Sequence, residues 1–94
     1  MSTTPRIIIT RHWPGFYEWT VIVDQEQFDN EVGDTSIADC LSSAVYALPE
    51  DLRLVEVCYR GLHMGTFEVL ELEHCAEDVA ARIAATHGAL THDN

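Results

Sequence analysis

A chain of 94 residues, 47% of them hydrophobic, suffices for one core and no second, so a single domain over 1–94 is expected, with a frayed tail from about residue 89. Sixteen acidic residues against five basic ones, all five Arg, leave a net charge of −11. That balance disfavours direct binding of nucleic acid, where cations must displace counterions, and docking on an anionic membrane.

The first segment, Arg6-Ile7-Ile8-Ile9-Thr10, is β-branched and predicts a strand. Trp13-Pro14-Gly15 supplies a turn, because Pro presets φ and Gly accepts positive φ. From Tyr17 the chain alternates. Tyr17, Trp19, Val21 and Val23 point one way and Glu18, Thr20, Ile22 and Asp24 the other, the pattern of a half-buried strand. Asp24 to Asp34 is acidic, with Phe28 and Val32 its only large apolar residues, and is expected to be a loop with at most a short edge strand.

Asp34-Thr35-Ser36 opens the clearest helix. Ser36 with Asp39 resembles a capping box with Asp in place of Glu. Ile37, Ala38, Leu41, Ala44, Val45 and Leu48 form one apolar stripe, and Pro49 ends it. Arg53 to Arg60 predicts a strand with Val55, Val57 and Tyr59 on one face and Leu54, Glu56 and Cys58 on the other. Gly61 to Gly65 reads as a connection bracketed by glycines. Thr66 to Leu72 reads as a returning strand whose poor phase allows a bulge or an early helical turn. A last helix from about Cys75 to His87 carries Val79, Ala80 and Ile83 inward, with Gly88 placed to close it.

The expected order is β-β-α-β-β-α: an α+β fold, an antiparallel sheet with two helices packed on one face. The other face would be open and negative, carrying Glu18, Thr20, Asp24, Glu56 and Glu68.

Motifs of chemistry are sparse. Gly61 and Gly65 flank a loop without the Lys of a phosphate cradle. The five His and three Cys include no CxxC or HxxxH spacing, and the adjacent His74-Cys75 rarely both hold one ion. Cys40, Cys58 and Cys75 are odd in number and far apart, which fits a reducing compartment and not a disulfide framework. No apolar run approaches the ~20 residues of a membrane span, and the opening residues lack a secretory layout, so the cytoplasm of a bacterial host cell is expected. Cys58 lacks a nucleophile's local signature. The many carboxylates are uninformative without a cleft to perturb one of them. No cofactor, no metal and no enzymatic activity are therefore expected.

What remains is the charge. A surface this acidic attracts basic grooves, and the candidate partner-binding residues are Glu18, Asp24, Glu26, Asp29, Glu31 and Glu56. Trp13, beside Pro14 at a turn tip, is a candidate anchor because Trp is enriched at binding hot spots.

The layout over residues 3–60 resembles small phage-encoded anti-CRISPR proteins: a first strand bearing Thr and Arg, then Pro14-Gly15-Phe16-Tyr17-Glu18, then an Ala/Ser-rich helix. That resemblance implies a stoichiometric inhibitor occupying the nucleic-acid site of a CRISPR effector. Asp34-Thr35 opening a helix after a hairpin is similar to HicB-type antitoxins, although their Gly-Cys step before the helix is missing here. Both imply a small acidic protein that neutralises a basic nucleic-acid-handling partner, a CRISPR effector or a toxin nuclease. The other expectations are a housekeeping interaction module, a homodimer closing the open sheet face, and a small ligand-binding domain or enzyme using the Gly61–Gly65 loop and His63.

Overall fold

The computed structural model describes residues 4–91 and is an α+β fold of five strands and three helices. β1 (Arg6–Trp13) and β2 (Phe16–Val23) form the expected hairpin, turned at Pro14-Gly15 with Gly15 at φ +80°. The acidic stretch expected as a loop is instead a nine-residue strand, β3 (Glu26–Asp34), paired antiparallel along all of β2. Its turn is tight. Asp24 and Gln25 both take left-handed backbone, φ +54° and +69°, as a primed two-residue hairpin turn demands, although neither is the usual glycine. β3 lies at the sheet edge with most of its residues exposed, so it needs no apolar alternation.

α1 (Ile37–Ala47) begins as its caps predict. The Ser36 side chain accepts from the Asp39 backbone N–H at 3.0 Å, and Thr35 Oγ1 donates to Asp39 Oδ2 at 2.7 Å. β4 (Leu54–Tyr59) then enters beside β1. The Arg60-Gly61 turn, both residues left-handed, leads straight into β5 (Leu62–Glu68). The Gly61–Gly65 connection thus shrinks to two residues, and Leu62 to Gly65 are strand. β5 gives way at Val69 to a six-residue helix, α2 (Val69–His74), which accounts for the poor strand phase of Val69, Leu70 and Leu72. α3 (Ala76–Thr91) runs through Gly88, so Gly88 does not close it and Ala89 to Thr91 are helical. The remainder of the expected frayed tail lies outside the described residues.

Strand order is β3-β2-β1-β4-β5. The sheet is mixed, not purely antiparallel: β1 and β4 run parallel, with Ile7 beside Val57 and Ile9 beside Tyr59. The reason is topological. β2 reverses β1 and β3 reverses β2, so β3 runs as β1 does, and α1 then carries the chain back across the sheet so that β4 enters in that same direction.

All three helices pack on the face carrying Ile7, Ile9, Trp19, Val21, Val55 and Val57. Leu41, Leu72, Val79 and Ile83 meet them there, and Leu48 and Val45 lie at the margin. The expected helix stripes are therefore the ones buried. Among the described residues no polar or charged residue is buried, and no helix is long and apolar enough to cross a membrane.

Candidate partner-binding surface

Glu18 and Glu56 both lie on the open face, as expected, yet they do not form one acidic patch. Glu18 stands opposite Thr10 and Glu56 beside Arg6, two strands apart and four residues displaced along β1. Each is engaged locally. Asn30 Nδ2 donates to Glu18 Oε2 at 2.8 Å, and His12 Nε2 lies 2.8 Å from Oε1. The Asn30 bond and then the His12 contact hold the Glu18 carboxyl below its ordinary value, outweighing the opposing push of burial. Arg6 reaches Glu56 at 3.4 Å, and His63 Nε2 lies 3.5 Å from the same Glu56 carboxylate. The open face is thus mixed in charge, with Ile8, Ile22 and Cys58 half-buried between the pairs.

β3 is different. Two bulges interrupt its ladder with β2. Val21 pairs with Asp29 and Ile22 with Gln27, which leaves Phe28 unmatched. Glu18 pairs with Val32 and Tyr17 with Asp34, which leaves Gly33 unmatched at φ +122°. The bulges set the phase of the charges. Glu26, Asp29, Glu31 and Asp34 are spaced three, two and three apart in sequence, a spacing that would scatter them over both faces of a regular strand. With one residue looped out at each bulge, the four stand opposite Val23, Val21, Trp19 and Tyr17, all on the helix-side face of β2. They form a single row on that face, about 20 Å long with a carboxylate about every 6.6 Å. It runs from the exposed Glu26 to Asp34, which is half-buried where β3 meets α1 and has its Oδ2 buried without a hydrogen-bond partner. Glu26, Asp29 and Glu31 are exposed, and none of the four forms a salt bridge among the described residues.

Asp24 sits in the left-handed turn at one end of that row. Glu56 is three strands away from it. Phe28, looped out at its bulge, is 54% exposed and gives the edge its one large apolar side chain beside Val32. Trp13 is 58% exposed at the β1–β2 tip, stacked on Phe16 with ring centroids 4.4 Å apart and planes 6° from parallel. His63, the residue considered for a small-molecule site, is exposed on β5 and engaged by Glu56.

The cysteines differ by place. Cys40 is buried on the inner side of α1, and burial, with the nearby Asp34 and Asp39 charges adding to it, pushes its thiol up to about 12. Cys58 is half-buried on the open face, and its thiol is raised chiefly by burial. Cys75 is exposed between α2 and α3. The buried Cys40 has the properties of a structural thiol, not of a nucleophile.

The chain was compared with family models, curated proteins and solved structures, and none of the three comparisons found a match.

Proposed function

We propose that this protein is a small non-enzymatic inhibitor that binds and blocks a basic nucleic-acid-handling protein, a CRISPR effector or a toxin nuclease, through the outer edge of β3. One observation carries the reading: Glu26, Asp29, Glu31 and Asp34 stand in one row on an exposed edge strand, brought into phase by two bulges. A linear array of unpaired carboxylates is the charge pattern that a groove built for a phosphate backbone attracts, because cations placed there to meet phosphates meet carboxylates equally well. The edge also leaves backbone N–H and C=O groups free to pair with a strand of the partner, and Phe28 adds apolar area. Glu18 and Glu56, already engaged, contribute less than the row.

Charge on an edge strand also keeps sheets from pairing edge to edge, so the test must separate binding from protection. Glu26→Lys, Asp29→Lys and Glu31→Lys together keep the edge charged while reversing its sign. Against a panel of CRISPR effectors and toxin nucleases, the parent protein should inhibit at least one, and binding should weaken as salt screens exposed charges. The triple variant should lose that inhibition by tenfold or more in Kd, mostly through slower association. Glu18→Gln with Glu56→Gln should retain it. Equal inhibition by the triple variant, or no inhibition of any panel member, overturns the reading.

A further inference from the structure

The end of the molecule at the β1–β2 tip is the exception to its acidity. Arg11, His12, Trp13 and Pro14 from the tip and Arg60 from the β4–β5 turn line one cleft of about 270 Å³. Residues 11 and 60 come together because β1 and β4 are parallel neighbours: the ladder continues past Tyr59, where the Arg60 backbone N–H donates to the Ile9 carbonyl at 3.0 Å. No carboxylate lines the cleft.

Three of the other basic side chains are already matched. Arg6 engages Glu56 and Arg82 engages Glu71, and His12 is held by Glu18. Arg11 and Arg60 form no salt bridge among the described residues. Arg11 Nε, moreover, is buried and donates to nothing. Both charges act on the Tyr59 phenol: burial and then the neighbouring Tyr17 push that phenol up, and Arg60 and Arg11 oppose the push. Two cations lining one cleft in an otherwise strongly acidic molecule, one of them with an unsatisfied Nε, are matched best by a dianion.

We propose that this cleft binds a phosphate monoester carried on a flat ring, of the size of one nucleoside monophosphate. Charge selects the phosphate. A phosphate monoester carries close to two negative charges at neutral pH and offers three acceptor oxygens, whereas a carboxylate would neutralise one guanidinium and leave the other. Arginine's planar fork suits such an oxyanion better than a point charge would. Trp13 selects the ring. Phe16 stacks on it and fixes its orientation, and its remaining exposed surface at the mouth of the cleft offers a base a stacking platform. Size sets the limit, since the cleft lies just below the range of pockets that enclose larger ligands. This site is separate from the β3 row and does not depend on the inhibitor reading.

Titrations followed by NMR at the Arg11 and Arg60 amides and the Trp13 indole test it with three probes: AMP, adenosine and inorganic phosphate. AMP should shift all three signals saturably, inorganic phosphate should shift the two Arg signals more weakly, and adenosine should shift none. Arg60→Gln should raise the Kd for AMP tenfold or more, and Arg60→Lys should raise it less, because charge is kept and the fork is lost. Arg53→Gln, at an Arg lining a different cleft, should leave it unchanged. Trp13→Ala should erase the advantage of AMP over inorganic phosphate. The proposal is overturned if no saturable shift occurs up to about 10 mM AMP, if adenosine binds as AMP does, or if Arg60→Gln binds AMP like the parent. Equal affinity for inorganic phosphate and AMP overturns the ring.

Discussion

Ile7, Ile8 and Ile9 are neighbours of identical chemistry, and the two faces of the sheet treat them oppositely. Ile7 and Ile9 are completely buried under the helices, while Ile8 stays half-exposed on the open side between Thr20 and Cys58. Where the helices bury it, the covered face is apolar. The open face alternates apolar residues with engaged charges, such as Arg6 with Glu56 and His12 with Glu18. Composition alone separates none of these residues. The strand's period of two assigns the faces, and the packed helices decide which face loses water.

Cysteine chemistry provides the largest contrast between the two sides. Cys40, buried against the covered face, has its thiol pushed up to about 12 from an ordinary 9.0, which alone lowers its thiolate fraction about a thousandfold at mildly alkaline pH. With a thiol reagent under native conditions, Cys75 should react first, Cys58 on the open face more slowly, and Cys40 only as the protein unfolds. Mass spectrometry of timed samples reads the order. If Cys40 were labelled as fast as Cys58, the covered face would have to open without global unfolding.

One substitution made on both faces isolates burial next. Threonine keeps the β-branch, so Ile9→Thr and Ile8→Thr leave strand propensity nearly constant. At Ile9 the change removes a methyl group from a close-packed site and buries a hydroxyl, for a cost of about 2–4 kcal/mol. At Ile8 the cost should be about 0.5 kcal/mol. Urea midpoints check the difference, and equal midpoints would mean that something covers the open face in solution. A second copy of the chain is then the first candidate, and a midpoint that rises with protein concentration would identify it.

Where the sequence carried local signals, the structure follows them. Ser36 and Asp39 mark the start of α1, its stripe is the buried one, and the alternation of β2 and β4 assigns both faces correctly. What was hidden depends on geometry that no local window holds. β3 lacks apolar alternation because it is an edge strand, its turn uses Asp24 and Gln25 where a glycine signal is usual, and its bulges break the spacing of its charges. Glu26, Asp29 and Glu31 were recognisable as candidates, but their alignment was not. The parallel pairing of β1 and β4 is likewise non-local, and with it the meeting of Arg11 and Arg60 across 48 intervening residues. Even Gly88, placed like a helix terminator, is overridden as α3 continues to Thr91.

The smallest effect concerns the pairing that distinguishes the open-face carboxylates from the β3 row. Asn30 and His12 favour the ionised form of Glu18 and so lower its affinity for protons in the folded state. A carboxyl held low in the native protein stabilises it fully only above the unfolded value near 4.5. As pH falls below that, the unfolded chain takes up the proton first, and the stabilisation fades until the folded carboxyl is protonated as well. Glu18→Gln removes the titration. The stability gap between parent and variant should therefore be present at about pH 5 and narrow steadily towards about pH 3, in urea melts on both proteins. A gap for Glu18→Gln that stayed constant over that window would mean that the Asn30 and His12 contacts do not distinguish the charged carboxyl from the neutral one, and that Glu18 is as available to a partner as the acids of β3.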